Sequence, residues 1–167
     1  MGIIVQKFGG TSLGSLERIE KVADIIIKTR QQGHDVVAVV SAMSGTTDHL
    51  VGLAKQVHES PDPREYAVLV STGEQISMAL LSMALIKKGC LAKSYTGTQA
   101  NIVTDENHHK ARILSIDSES IQHDLSNSHV AVVAGFQGRD QNGNITTLGR
   151  GGSDTSAVAL AASLQAE

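Results

Sequence analysis

The sequence predicts an α/β protein, a three-layer αβα sandwich with a mostly parallel sheet. Two runs, Val36-Val37-Ala38-Val39-Val40 and Val130-Ala131-Val132-Val133-Ala134, are apolar at every position instead of alternating, as strands covered on both faces must be. Segments with helical spacing of apolar residues stand between the strand-like runs, and strands alternating with helices build parallel sheets. A chain of 167 residues that is 41% hydrophobic and 19% charged can bury one sizeable core. One domain, residues 1–167, is expected.

Taken in order, Ile3-Ile4-Val5 reads as a strand entering the loop Lys7-Phe8-Gly9-Gly10-Thr11-Ser12. Leu16, Ile19, Val22, Ala23 and Ile26 then fall at helical spacing, Glu17 stands four residues before Lys21, and Gly33 ends the helix. Val36 to Val40 is a central strand running into a polar loop, Ser41 to Thr47. A helix is predicted from Asp48 to His58, stopped by Ser60-Pro61-Asp62-Pro63. Arg64 to Lys88 is helical and strongly apolar but interrupted by Ser71-Thr72-Gly73-Glu74, which fits a helical hairpin or one helix with a break, ended by Gly89. Lys93 to Thr96 reads as a strand, Glu119 to Leu125 as a short helix, and Val130 to Ala134 as a buried strand. Asn142-Gly143 signals a two-residue hairpin between Arg139-Asp140-Gln141 and Asn144-Ile145-Thr146-Thr147. The last helix is predicted from Asp154 through Val158, Leu160 and Leu164.

Composition excludes several functions. A net charge of -3 with mixed signs provides no basic stripe, and 2% aromatic residues provide no stacking platform, so no nucleic acid is expected as a partner. The single cysteine, Cys90, fits a reducing compartment and reads most simply as a small buried hydrophobe. His108 and His109 are adjacent, which cannot present both rings at the spacing of a helical zinc site, so no metal is expected on histidine. The N-terminus lacks the succession of a signal peptide, and the longest apolar run, Ile76 to Ile86, is too short for a bilayer. A cytoplasmic protein without membrane contact is expected.

The chemistry concentrates in two glycine loops, each with its own cation. In Leu148-Gly149-Arg150-Gly151-Gly152-Ser153-Asp154 a guanidinium can fork a carboxylate or phosphate while backbone N–H groups at a helix start face the same anion. Lys7 precedes Gly9-Gly10 in the other loop. Plainer readings compete: Ser71 and Glu74 have capping-box spacing, Ser153 or Asp154 could cap a helix, and Lys7 could be a solvated strand-end lysine. No G-x-x-x-x-G-K-[ST], no G-x-G-x-x-G after the first strand and no G-x-S-x-G is present. What remains is transfer of phosphate toward an anionic acceptor, in which cations and N–H groups neutralise carboxylate and phosphoryl oxygens.

Five segments carry a resemblance: Lys7-Phe8-Gly9-Gly10-Thr11-Ser12, Val40-Ser41-Ala42 with Gly45 and Thr47, Ser71-Thr72-Gly73-Glu74, Gly135-Phe136-Gln137-Gly138, and Gly149-Arg150-Gly151-Gly152-Ser153-Asp154. In that order, from end to end, the chain resembles the aspartate kinases of the amino acid kinase family. The resemblance implies ATP-dependent phosphorylation of the β-carboxylate of L-aspartate to 4-phospho-L-aspartate, the entry to lysine, threonine and methionine biosynthesis. ATP with magnesium is the implied co-substrate, and the full-length protein is implied to be a homo-oligomer. By the same resemblance Lys7 stabilises the transferring phosphoryl group, aided by Gly9, Gly10, Thr11 and Ser12, and Asp154 orients Lys7. Arg150 grips a carboxylate of aspartate, Glu74 takes its α-ammonium, and Ser41, Thr47, Phe136 and Ser153 line the pocket.

Aspartate kinases continue past the Gly-Gly-Ser-Asp helix, whereas this chain stops at Gln165-Ala166-Glu167. It is therefore expected to be the N-terminal, aspartate-binding half of the catalytic domain, inactive alone, with an apolar helix face including Val158 and Leu160 that meets the missing half. Two other readings remain at this level: a related kinase for glutamate or N-acetylglutamate, and a non-catalytic anion-binding module.

Overall fold

A computed structural model describes residues 2–167. Four parallel strands form the main sheet in the order β1 (Ile3–Phe8), β2 (Asp35–Val40), β6 (Val130–Ala134), β3 (Ala92–Tyr95). The two uniformly apolar runs are its central strands, β2 and β6. Val36, Ala38 and Val40, with Val130, Val132 and Ala134, turn to one face and pack on α1 (Leu16–Gln31) and α3 (Pro63–Lys87). The intervening Val37, Val39, Ala131 and Val133 turn to the other, where α4 (Glu119–Ser126) and α5 (Gly152–Leu164) supply Ile121, Leu125, Leu160 and Leu164. The period of two in the strands thus divides one sheet between two apolar layers. The three-layer α/β architecture matches the sequence reading.

The structure departs from it at four points. The Ser71-Thr72-Gly73-Glu74 interruption does not break the helix: α3 runs without interruption for 25 residues, started by Asp62, whose carboxylate accepts from the N–H groups of Arg64 and Glu65, and by Pro63. Ser71 and Thr72 turn their hydroxyls back onto Val68 O and Leu69 O, and Gly73 is required because a Cβ there would come 2.9 Å from Ala42 Cβ. By length and composition α3 could cross a membrane, yet 56% of its most apolar window is buried in this fold, so it is a core helix. Helix α2 (Thr46–Val57) and helix α5 both begin two residues before their predicted starts, each behind a glycine in left-handed conformation, Gly45 and Gly151.

The third departure is a second sheet, β5 (Ile113–Ile116), β4 (Ile102–Thr104), β7 (Gln137–Arg139), β8 (Ile145–Thr147), mixed in direction and largely unforeseen. Its β7–β8 hairpin exists, but the connection is five residues long instead of two. Asp140, 1% exposed, draws the turn together by accepting from Asn142 N, Asn144 N and Asn144 Nδ2. Burial alone would raise its pKa; the bonds from Asn144 and Asn142 outweigh that and hold it below the usual carboxylate range. Finally, Leu160 does not share an outer face with Val158. Leu160 is fully buried in the second core layer, whereas Val158 is 70% exposed.

Candidate active site

The carboxyl ends of β1, β2 and β6 lie side by side, where open parallel sheets place their ligand crevices. The three loops that leave them are laced by backbone bonds: Ser41 N to Phe8 O at 3.0 Å, Gly135 N to Val40 O at 2.9 Å, and Ser44 N to Gly10 O at 3.1 Å. Glycine is needed where the loops touch. A Cβ on Gly10 would come 3.0 Å from Ala42 O, and one on Gly135 would come 3.0 Å from the Ser153 side chain.

Helix α5 delivers its first turn to the same edge. Gly149 (φ 81°) and Gly151 (φ 75°) take left-handed conformations, and no side chain caps the helix. The capping alternative for Ser153 and Asp154 therefore fails, because the helix starts ahead of both. Their side chains are free for other partners. Ser41 Oγ donates to Ser153 Oγ at 3.0 Å, and Lys7 Nζ lies 3.0 Å from Asp154 Oδ1. Lys7 is exposed near the strand end, as the solvated-lysine reading has it, but its ammonium is held by the ion pair with Asp154 and its side chain is 31% exposed.

Glu74 enters from the opposite side, on the interior of α3, so the capping-box reading fails as well. The residue is 4% exposed, and its Oε2 is buried without a hydrogen-bond partner. Burial pushes the carboxyl up to about 7, while backbone hydrogen bonds at Glu74 itself and Ala42 pull in the other direction. Arg150 is exposed between its glycines and has no ion-pair partner among the described residues.

These groups surround one cleft of about 350 Å³. Lys7, Gly10, Ser41, Thr47, Glu74, Phe136, Arg150, Ser153 and Asp154 all line it. Gly9, Thr11 and Ser12 do not: Gly9 lies beneath the Lys7 ammonium, and Thr11 and Ser12 are exposed on the turn beyond, where Thr11 O accepts from Arg18 Nη1. Ala42, Gly149, Gly151 and Gly152 complete the wall without having been singled out individually. All four belong to the motif segments of the sequence, and the structure adds two close approaches, of Ala42 to Gly73 and of Gly152 to the Phe136 ring. His108 and His109 fall in the β4–β5 loop, and among the described residues no three His, Cys, Asp or Glu side chains gather at metal-binding spacing. Cys90 is a free, half-buried thiol, and burial raises its pKa.

The cleft therefore offers an anchored ammonium, an unpaired guanidinium, a buried carboxylate oxygen without a partner and an uncapped helix N-terminus. Its complement carries both anionic groups and a cation.

The sequence model of the amino acid kinase family matches residues 2–167. An aspartokinase of Pseudomonas aeruginosa is 65% identical over 167 residues, all of this chain and 40% of that relative; an aspartokinase of Geobacillus stearothermophilus is 60% identical over 100% of this chain and 41% of its own length. The chain thus spans about 40% of the length of these relatives. Among solved structures, aspartate kinase from Synechocystis superposes with a TM-score of 0.83 at 52% identity, covering 98% of this chain and 27% of that one. E. coli aspartokinase III in complex with aspartate and ADP shares the fold, with a TM-score of 0.85 at 24% identity over 98% of this chain and 47% of its own.

Proposed function

The chain belongs to the amino acid kinase family, and from that premise we propose that it serves the ATP-dependent phosphorylation of the β-carboxylate of L-aspartate to 4-phospho-L-aspartate, supplying the acceptor half of the catalytic domain. Aspartokinases at 60% and 65% identity along the entire chain support the substrate class. In this reading a carboxylate of aspartate sits on the Arg150 fork, and its α-ammonium meets Glu74. Thr47, Phe136, Ser41 and Ser153 form the remaining wall. Lys7, held by Asp154, neutralises charge on the phosphoryl oxygens as the β-carboxylate oxygen attacks phosphorus and the bond to the ADP oxygen breaks. The Gly9-Gly10-Thr11-Ser12 turn would offer N–H groups beyond the Lys7 ammonium; Gly10 lines the cleft, whereas Gly9, Thr11 and Ser12 stand off its wall.

The Glu74 carboxylate carries the proposal. A buried, unpartnered carboxylate oxygen in a wall whose other carboxylate, Asp154, is already paired with Lys7 is an unfavourable arrangement unless a ligand brings an ammonium to it. Aspartate brings one, together with two carboxylates for the cations. An N-acylated acceptor leaves Glu74 without a partner, and a plain anion-binding module has no use for it.

Magnesium would arrive with the nucleotide, held mainly by phosphate oxygens and water, which suits a site with no cage of carboxylates. It would supply charge neutralisation on the phosphates. We place the full-length protein, as a cytoplasmic homo-oligomer, at the entry to lysine, threonine and methionine biosynthesis.

The test is trapping of the acyl phosphate with hydroxylamine in the full-length protein, with aspartate, glutamate and N-acetylated acidic amino acids as acceptors. Aspartate should be the substrate and the N-acetylated compounds should be inert. Turnover of an N-acetylated acceptor as fast as aspartate would overturn the reading. The 167-residue chain by itself is expected to show no turnover, since the resemblance implies that the nucleotide base is held by a segment outside these residues, without which the proximity term would be lost.

A further inference from the structure

The Phe136 backbone is the strained point of the cleft, with φ of 71° at a bulky, non-glycine residue. Such a conformation persists only where its surroundings impose it. Both backbone groups of Phe136 are tied. Its N–H donates to Ser156 Oγ at 3.0 Å, and its C=O accepts from Leu148 N at 2.9 Å, just before the Gly149-Arg150-Gly151 turn. Ser156 is 0% exposed and lies in the second turn of α5, where its hydroxyl also donates to Gly152 O at 2.9 Å. The Phe136 ring leans on that same glycine, so closely that a Cβ on Gly152 would come 2.7 Å from it.

One hydroxyl thus joins three parts of the acceptor cleft. It receives the strained Phe136 turn, grips the first turn of α5 that carries Ser153 and Asp154, and acts through Phe136 O on the strand end that leads to Arg150. A serine whose only task was to bond back along its helix would need nothing from Phe136. Both its donor and its acceptor capacities are used here, on two separate segments of the wall.

We infer that Ser156 is a positioning residue for the acceptor site: it holds the Phe136 turn against the N-terminus of α5 and so fixes the distance between the phenyl wall and the Arg150 fork. This inference rests on the proposed reading of the cleft as the aspartate site. Without the hydroxyl, the half-buried Phe136 N–H loses its partner, the left-handed turn relaxes, and the wall moves away from the ligand. Lys7 and Asp154, on the far side of the first turn, keep their contact with each other.

The experiment measures steady-state kinetics of the full-length protein with aspartate, glutamate and ATP, alongside thermal melts. Ser156→Ala should raise the aspartate KM tenfold or more, leave the ATP KM within twofold, and lower the preference for aspartate over glutamate. Ser156→Thr, which keeps the hydroxyl, should restore the wild-type values. Should Ser156→Ala melt below the assay temperature, Ser156→Thr and Ser156→Val make the same comparison, being alike in shape and different in the hydroxyl. The inference is overturned if the variant lacking the hydroxyl keeps its aspartate KM, if both KM values move together, or if Thr and Val behave alike. Absence of aspartate turnover in the wild-type protein would instead refute the aspartate reading, a separate result.

Discussion

Lys7, one residue before the end of the first strand, and Asp154, in the first turn of the last helix, meet at 3.0 Å across the mouth of the cleft. Their side chains are 31% and 71% exposed, so the pair contributes little to folding. Its effect is directional: the carboxylate holds a flexible lysine over Gly9, whose Cβ position is 3.5 Å from the ammonium. Lys7→Met should therefore lower kcat by about 100-fold or more, the cost of one preorganised charge on a developing anion, with a small change in aspartate KM. Asp154→Asn should give a smaller loss, since the charge on Lys7 survives. Wild-type kcat in Lys7→Met would assign the residue to structure.

Arg150→Ala should weaken aspartate far more than ATP. A charge-assisted fork lost from one ligand carboxylate costs about 2–3 kcal/mol. Because Arg150 is exposed and has no ion-pair partner among the described residues, the variant should melt as the wild type does. Calorimetric titration with aspartate and a thermal melt read both; unchanged aspartate affinity would remove Arg150 from the site.

Glu74 makes stability and recognition respond oppositely to pH. Its carboxyl is raised from 4.5 to about 7 by burial, so the folded protein binds this proton more tightly than the unfolded chain does. The stability linked to the group is fully present below 4.5, declines as pH rises from 4.5 to 7, and stays lost above that. Glu74→Gln should recover up to about 3 kcal/mol at pH 8 and almost nothing at pH 4. Aspartate binding needs the ionised carboxylate, so wild-type affinity should fall as pH drops below 7, and the glutamine variant should bind weakly throughout. Urea unfolding and aspartate titration at several pH values test this; a stability gap that does not shrink toward pH 4 would contradict it.

The main sheet was legible because Val36–Val40 and Val130–Ala134 are too uniformly apolar for any other fate, and the site was legible because glycine, lysine and arginine stand where a packed core has no use for them. The second sheet was not. Its strands β4, β7 and β8 have three residues each, too short for a period of two to show against a background of polar loop. Ser71-Thr72-Gly73 read as a break because propensity is local. The reason for Gly73, contact with Ala42 from another strand's loop, is tertiary. Phe136 was identified as wall but not as strained, since a left-handed turn at phenylalanine follows from Ser156 and Leu148, which sequence spacing does not bring near it.

The neighbouring apolar residues Val158 and Leu160 separate folding from surface on one helix. They stand two apart in α5, which turns them about 200° from each other, and so cannot share a face. Leu160 is fully enclosed with Val37, Val39 and Val133 in the second core layer, while Val158 is 70% exposed. Leu160→Ala should destabilise by about 2–5 kcal/mol, the transfer term plus an unfilled cavity, whereas Val158→Ala should stay within about 0.5 kcal/mol in dilute solution. Urea unfolding of both variants at two protein concentrations makes the comparison. A cost for Val158→Ala that approaches that of Leu160→Ala, and grows with concentration, would show that the outer face of α5 is covered by another surface in solution instead of facing water.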